Sequence, residues 1–209
     1  MSQIKIDSGG FNGSRFGLRG SEDLGGGLKA NFVLESGFNI DTGAFASNST
    51  GGIFGRNSWV GLSGGFGAVK LGRSYTAYDD VRGNIVGGVV FDSAFSPIGD
   101  VFGVGGDYAS RGNNQFHYAT PNFGGFSGGF SYSLGEDKSE TPAVSASSIT
   151  AFNVAYANGP ISAAFGHQTE KTQNRGAVVP PATVGPLLGT TSSNKYNFIG
   201  GGYDFGFAK

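Results

Sequence analysis

Between Leu28 and Phe38 the residues Leu28, Ala30, Phe32 and Leu34 fall on one parity, and Lys29, Asn31 and Glu35 on the other. A period of two is what an extended strand shows when its two faces meet different surroundings. The preceding stretch does the same, with Phe16 and Leu18 on one side and Arg15 and Arg19 on the other. Asp23 to Gly27 supplies the turn chemistry between them, so Ser14 to Asn39 is expected to be a β-hairpin. The pattern repeats. Arg56–Ser63 and Ala68–Ser74 form a second hairpin around Gly64-Gly65-Phe66-Gly67, and Asn113–Thr120 pairs with Phe126–Leu134 across Pro121 to Gly125. Ile149–Ala157 and Ile161–Thr169 follow around Asn158-Gly159-Pro160, and Lys195–Tyr203 is a last strand whose facing stays open between Phe198 and Ile199.

The cleanest alternation is in the sixth strand. Phe126, Gly128, Phe130, Tyr132 and Leu134 share one face, and Ser127, Gly129, Ser131 and Ser133 the other. Arg73 breaks the rule by sharing parity with Val69 and Leu71, which predicts a bulge or strand exit at Gly72. Connections alternate short and long to the end. An up-and-down meander of about nine strands collects its short turns at one rim and its long loops at the other, the arrangement of an antiparallel transmembrane β-barrel. A Greek-key sandwich gives no such sorting.

Composition supports this all-β reading. The chain of 209 residues holds 40 Gly, 19 Phe and 8 Tyr and only 38% hydrophobic residues. No run approaches the ~20 apolar residues of a membrane helix. The polar face, Ser and Gly interspersed with Arg and Lys, would fill a dry interior badly and lines water well. Phe123, Phe126, Tyr156 and Phe205 sit near short turns, and Phe38, Phe54 and Tyr75 near long loops, as two aromatic girdles would. The first ten residues show no apolar core followed by a cleavage site.

Charge and motifs exclude several functions. A net charge of -1 argues against a nucleic-acid partner. The absence of Cys removes thiolate metal sites, and His117 and His167 form no ligand cluster, so neither metal nor cofactor is expected. Gly25 to Ala30 fits G-x-G-x-x-A, but it lies in a hairpin turn without the βαβ context a dinucleotide needs. No nucleophile elbow is present, and the chain is not read as an enzyme. Asn48-Ser49-Thr50 is read as polar loop.

The stretches SRFGLRGSEDLGGGLKA, FGRNSWVGLSGGFGAVKLGRSY and YATPNFGGFSGGFSY resemble the general diffusion porins of Gram-negative bacteria, most closely the beta-proteobacterial type. The resemblance implies a homotrimer in the outer membrane, in contact with its lipid, passing small hydrophilic solutes and ions, with residues 1–209 as one partial barrel domain. The resemblance also implies that the first strand and the C-terminal strands of the family lie outside these residues. By the same resemblance, residues 75–112 are the loop that folds into the lumen. Arg15 and Arg73 fall on wall arginines of the constriction, with Asp92 and Asp100, and beside them Asp79 and Asp80, as acids of the loop.

Parity adds Arg19, Lys29 and Lys70 to the watery face, where charge biases which ions enter. Arg56 and Arg111 sit at strand ends, equally suited to rim and constriction. His117 occupies the place before the PNFGG turn where relatives carry Arg or Lys. The expectation is a porin with weak anion preference. The alternative is a plugged barrel that binds or adheres through its long loops.

Overall fold

The computed structural model describes residues 13–45, 52–85, 108–140, 143–174 and 190–206. Nine antiparallel strands form one sheet in chain order: β1 (Ser14–Gly25), β2 (Leu28–Phe38), β3 (Asn57–Gly64), β4 (Gly67–Tyr75), β5 (Arg111–Ala119), β6 (Phe126–Leu134), β9 (Ser148–Asn158), β10 (Ile161–Asn174) and β11 (Thr190–Tyr203). Two-residue strands β7 (Ser139–Glu140) and β8 (Ala143–Val144) pair separately in the loop between β6 and β9. One helix, α1 (Ala77–Ile85), follows β4. The sheet is not closed, since β1 and β11 are its two edges.

Register makes the two faces explicit. One row of paired residues crosses all nine strands through Ser21, Asn31, Gly61, Lys70, His117, Ser131, Ala151, Gln168 and Tyr196. The adjacent row, one residue along and therefore on the other face, runs through Phe32, Val60, Leu71, Phe116 and Tyr132. Phe130 is 42% exposed and Leu71 52%, whereas Ser131 and Gln168 are fully buried. Large apolar side chains facing outward and small polar ones facing inward invert the soluble pattern, as a lipid-facing wall requires.

A register irregularity lies beside Arg73, but the extra residue is on β5 and not at Gly72 as expected, since β4 stays in register with β3 through Gly72 and Arg73. Gly72 has φ of 129°, and the β4–β5 register shifts between Gly72 and Ser74. Gly72 pairs with Gln115 and Ser74 with Gly112, so Asn113 and Asn114 together oppose Arg73. The left-handed φ of 46° at Asn114 absorbs the extra residue, a conformation that Asn tolerates better than most.

Two elements depart from the sequence reading. Residues 170–194, left between the expected strands Ile161–Thr169 and Lys195–Tyr203, are partly strand, because β10 and β11 remain paired from Ile161 opposite Tyr203 to Asn174 opposite Thr190. That extension is polar on both faces, so it carries no hydrophobic period. The loop expected over 75–112 contains α1, and α1 packs on the polar face against β5, β6, β9, β10 and β11. Its seat is the one cluster of buried apolar residues among those described: Ala77, Tyr78 and Ala151, flanked by Tyr108, Tyr196 and Phe198.

Candidate functional site

The site is the seam between α1 and the wall, together with the strand ends beside it. Thr76 opens the helix: its hydroxyl accepts a hydrogen bond from the Asp79 backbone N–H at 3.3 Å. That is an N-cap, and Asp79 and Asp80 in the first turn suit the positive end of the helix dipole. Nine residues make a marginal helix alone, so docking supplies most of its stability.

Docking is polar at the helix start and tight along its length. The Ala77 N–H donates to Ser131 Oγ at 2.9 Å, and the Asn153 side-chain amide donates to the Ala77 carbonyl. His117 Nε2 lies 3.0 Å from Asp80 Oδ2. The approach is close enough for ion pairing but off the hydrogen-bond direction, since neither ring nitrogen makes a bond of good geometry. Small residues let the helix sit close: a Cβ on Gly166 would meet Val81 Cγ2 at 3.0 Å and Tyr78 Cδ2 at 3.2 Å.

The segment returning to β5 is tied to β10. The Ala109 N–H donates to Glu170 Oε1 at 2.6 Å, and the Gln168 side-chain amide donates to the Ala109 carbonyl at 2.9 Å. Tyr108 donates its hydroxyl proton to Asp79 Oδ1 and accepts from Arg82 Nη1 at 2.9 Å. Burial raises the Asp79 carboxyl above its ordinary pKa, against the opposing pull of the Tyr108 hydroxyl, Arg111 and Arg82. Burial likewise raises the Tyr108 phenol, and the neighbouring Asp79 carboxylate adds to the shift.

Beside α1, three arginines gather at the long-loop ends of adjacent strands. Arg73 Nε donates to the Gly55 carbonyl and its Nη1 to Asn113 Oδ1, both at 2.6 Å. Arg111 donates to the Tyr75 hydroxyl, and its guanidinium carbon lies 3.9 Å from the centre of that ring. Arg56 is ion-paired with Glu35 and reaches the same hydroxyl at 3.5 Å. Three guanidiniums against one carboxylate leave a net positive wall, and Asp79 on α1 is near enough to act electrostatically on Arg111.

Of the residues singled out from sequence, Arg73 and Arg111 join this cluster, and Asp79 and Asp80 stand on α1 facing the wall. Lys70 lies on the polar face with its ammonium 5.5 Å from the Trp59 ring centre. Arg15, Arg19 and Lys29 share that face on β1 and β2, opposite Gly37, Val33 and Asp23, away from the strands that seat α1. His117 is on the wall but only 1% exposed, covered by the helix. Asp92, Asp100 and Asn48 lie outside the described residues.

Sequence reasoning missed Glu35 and Tyr75 as partners of the arginines, and Ser131 and Asn153 as anchors of α1. Tyr75 is drawn into the arginine cluster, not set in a lipid girdle. The Thr76-x-x-Asp79 cap was the available signal for the helix. Nothing local marks the others, because each acts across a register that only the assembled sheet defines. No group of three or more potential metal ligands occurs among the described residues.

Comparison with known proteins agrees with this geometry. The family model described as "Gram-negative porin" matches residues 2–209. Outer membrane porin protein 32 of Delftia acidovorans is 38% identical, across the whole of this chain and 55% of that protein. An outer membrane porin protein of Bordetella pertussis is 34% identical, across the whole of this chain and 53% of its own length. The chain thus spans about half the length of the curated relatives it matches. Among solved structures, an anion-selective porin from Comamonas acidovorans superposes with a TM-score of 0.65 at 35% identity, covering 94% of this chain and 55% of that one. With a nine-stranded meander, apolar side chains outward and a helix on the polar face, the chain belongs to the Gram-negative porin family and, with it, to the outer membrane.

Proposed function

We propose that the complete protein is a water-filled channel for passive diffusion of small hydrophilic solutes and ions, assembled as a trimer, with a weak preference for anions. Residues 75–112 narrow the lumen, and α1 is the part of that loop that sets the position of the acids. The observation that carries this reading is α1 resting on the polar face beside Arg56, Arg73 and Arg111. A net positive wall facing acids across a narrow gap gives a transverse field, which lowers the barrier for an ion whose charge is matched by the more numerous groups. Arg15, Arg19, Lys29 and Lys70 extend the positive surface along the wall, and Asp79, Asp80, Asp92 and Asp100 are assigned to the loop side.

The solved relative from Comamonas acidovorans is an anion-selective porin, which supports the same sign. Planar-bilayer recording in a salt gradient tests it. Discrete conductance steps with a reversal potential on the anion side are expected, and Arg73→Ser should move that potential toward cations. An unchanged potential in the variant removes Arg73 from the selectivity-determining set.

A further inference from the structure

Trp59 faces away from lipid. An indole in a barrel wall ordinarily sits at the lipid boundary, yet its row runs through Arg19, Val33, Trp59, Gly72 and Gln115, on the face that also carries Lys70 and His117. Its square of neighbours on β3 and β4 is half empty. Trp59 lies opposite Gly72, and two residues along, Gly61 lies opposite Lys70. The Lys70 ammonium stands 5.5 Å from the centre of the Trp59 ring, and the two glycines leave the other diagonal of the square without a side chain. The indole and the ammonium therefore share a shallow recess in the wall, both partly exposed.

The neighbours do not fill that recess. On β2, Val33 borders the ring, and the Asn31 amide is turned away to donate to Ser63 Oγ at 2.9 Å. On β5, Gln115 is buried and bonded to Ser74 and Tyr75, and His117 lies beneath α1. Since α1 packs against β5, β6, β9, β10 and β11, the recess is beside its seat and not under it. Among the described residues no carboxylate is paired with Lys70 or Arg19. An ammonium resting on a π face in contact with water is held weakly, and the flexible lysine stem lets it exchange that face for an anion. Height favours the exchange. Trp59 is two residues along β3 from Asn57, which lies opposite Glu35, the partner of Arg56. At about 3.3 Å per residue the ring is roughly 7 Å from the arginine cluster on its short-turn side, next on the path of an anion that the cluster admits.

We infer that Trp59 and Lys70 form a stacking site for planar aromatic carboxylates on the lumen wall. The solute's ring lies against the indole, and its carboxylate takes the Lys70 ammonium. Arg19, on the same row two strands away, adds to the positive potential. Aromatic rings attract one another in offset or edge-to-face contact, and an aliphatic ring of the same charge lacks that attraction. The inference rests on the channel reading given above, because it requires this face to be open to solutes in passage.

The test records current noise from the full-length porin in planar bilayers while benzoate or cyclohexanecarboxylate is titrated, and reads the half-saturating concentration of each. In the parent, benzoate should saturate at a concentration about fivefold lower than cyclohexanecarboxylate. Trp59→Leu should abolish that difference and Trp59→Tyr should keep most of it. Lys70→Gln should weaken both anions by about threefold, with Lys70→Arg close to the parent. Equal half-saturation of the two anions in the parent overturns the site, as does a benzoate preference that survives Trp59→Leu. Should Trp59→Leu form no channels, Lys70→Gln decides: unchanged half-saturation in that variant overturns the site. Absence of conductance steps in the parent marks failure of the channel reading, whereas steps with no benzoate preference mark failure of this inference alone.

Discussion

His117 Nε2 and Asp80 Oδ2 meet at 3.0 Å across the seam where α1 rests on β5. The imidazole is 1% exposed and the carboxylate side chain about a third exposed, so the pair joins the wall to a helix open to water on its other side. Replacing Asp80 by Ala should weaken docking by ~1 kcal/mol or less, the scale of one partly exposed polar contact. The check is limited proteolysis over residues 77–85, where faster cleavage in the variant is expected. Equal cleavage would mean that Ser131, Asn153 and the apolar seat hold the helix alone.

Gly166 and Val81 define the clearance beneath α1. A Cβ would stand 3.0 Å from Val81 Cγ2, which Ala can reach with small shifts and Leu cannot. Gly166→Leu should cost about 1 to 3 kcal/mol of docking through overpacking and lift the helix from the wall. Single-channel conductance should rise and become noisier in Gly166→Leu, with Gly166→Ala close to the parent.

Asp79 gives the attachment a pH dependence of defined sign. Its folded-state pKa is raised, chiefly by burial, so folding favours the protonated carboxyl. The stabilisation is fully present below the ordinary carboxylate pKa of ~3.9 and is lost as pH rises through the raised value. Protection of α1 from hydrogen exchange should therefore increase as pH falls across that window, after correction for the intrinsic exchange rate. Asp79→Asn should flatten the response.

Trp59 is the only tryptophan, and Lys70 stands over its ring on the polar face. Its fluorescence in vesicles should be quenched by aqueous acrylamide and left largely unchanged by brominated lipids. Efficient quenching by the lipid probe would put Trp59 on the outside.

The strands, and the facing of those such as Phe126 to Leu134, were readable because a wall between lipid and water forces a period of two. The facing of Lys195–Tyr203 was not, because Phe198 and Ile199 compete, and only the docked α1 shows that Phe198 is turned to the polar face. That the sheet is irregular beside Arg73 was readable from the same period, but its place was not: the extra residue is in β5, at Asn113 and Asn114, while β4 stays in register with β3 through Gly72. α1 was not readable by periodicity, since its Ala-Tyr-Asp-Asp-Val-Arg-Gly-Asn-Ile sequence is short, polar and held by tertiary contacts to Ser131 and Asn153. The polar extension of β10 and β11 escaped because outside the membrane neither face needs to be oily. The meeting of Arg56 and Arg111 at the Tyr75 hydroxyl depended on register, which places Arg111 opposite Tyr75 across 36 positions of chain.

Adjacent positions on β4 offer the most direct test, because the chain contains no cysteine and a single introduced thiol reports its own side of the wall. Lys70→Cys should react rapidly with a charged, membrane-impermeant methanethiosulfonate in proteoliposomes. Leu71→Cys, one residue on, should resist that reagent, and a spin label attached to it before reconstitution should relax against oxygen dissolved in the lipid. A Leu71 thiol that reacts as fast as the Lys70 thiol, or a reversal of the two, would contradict the assignment of one face to water and the other to lipid.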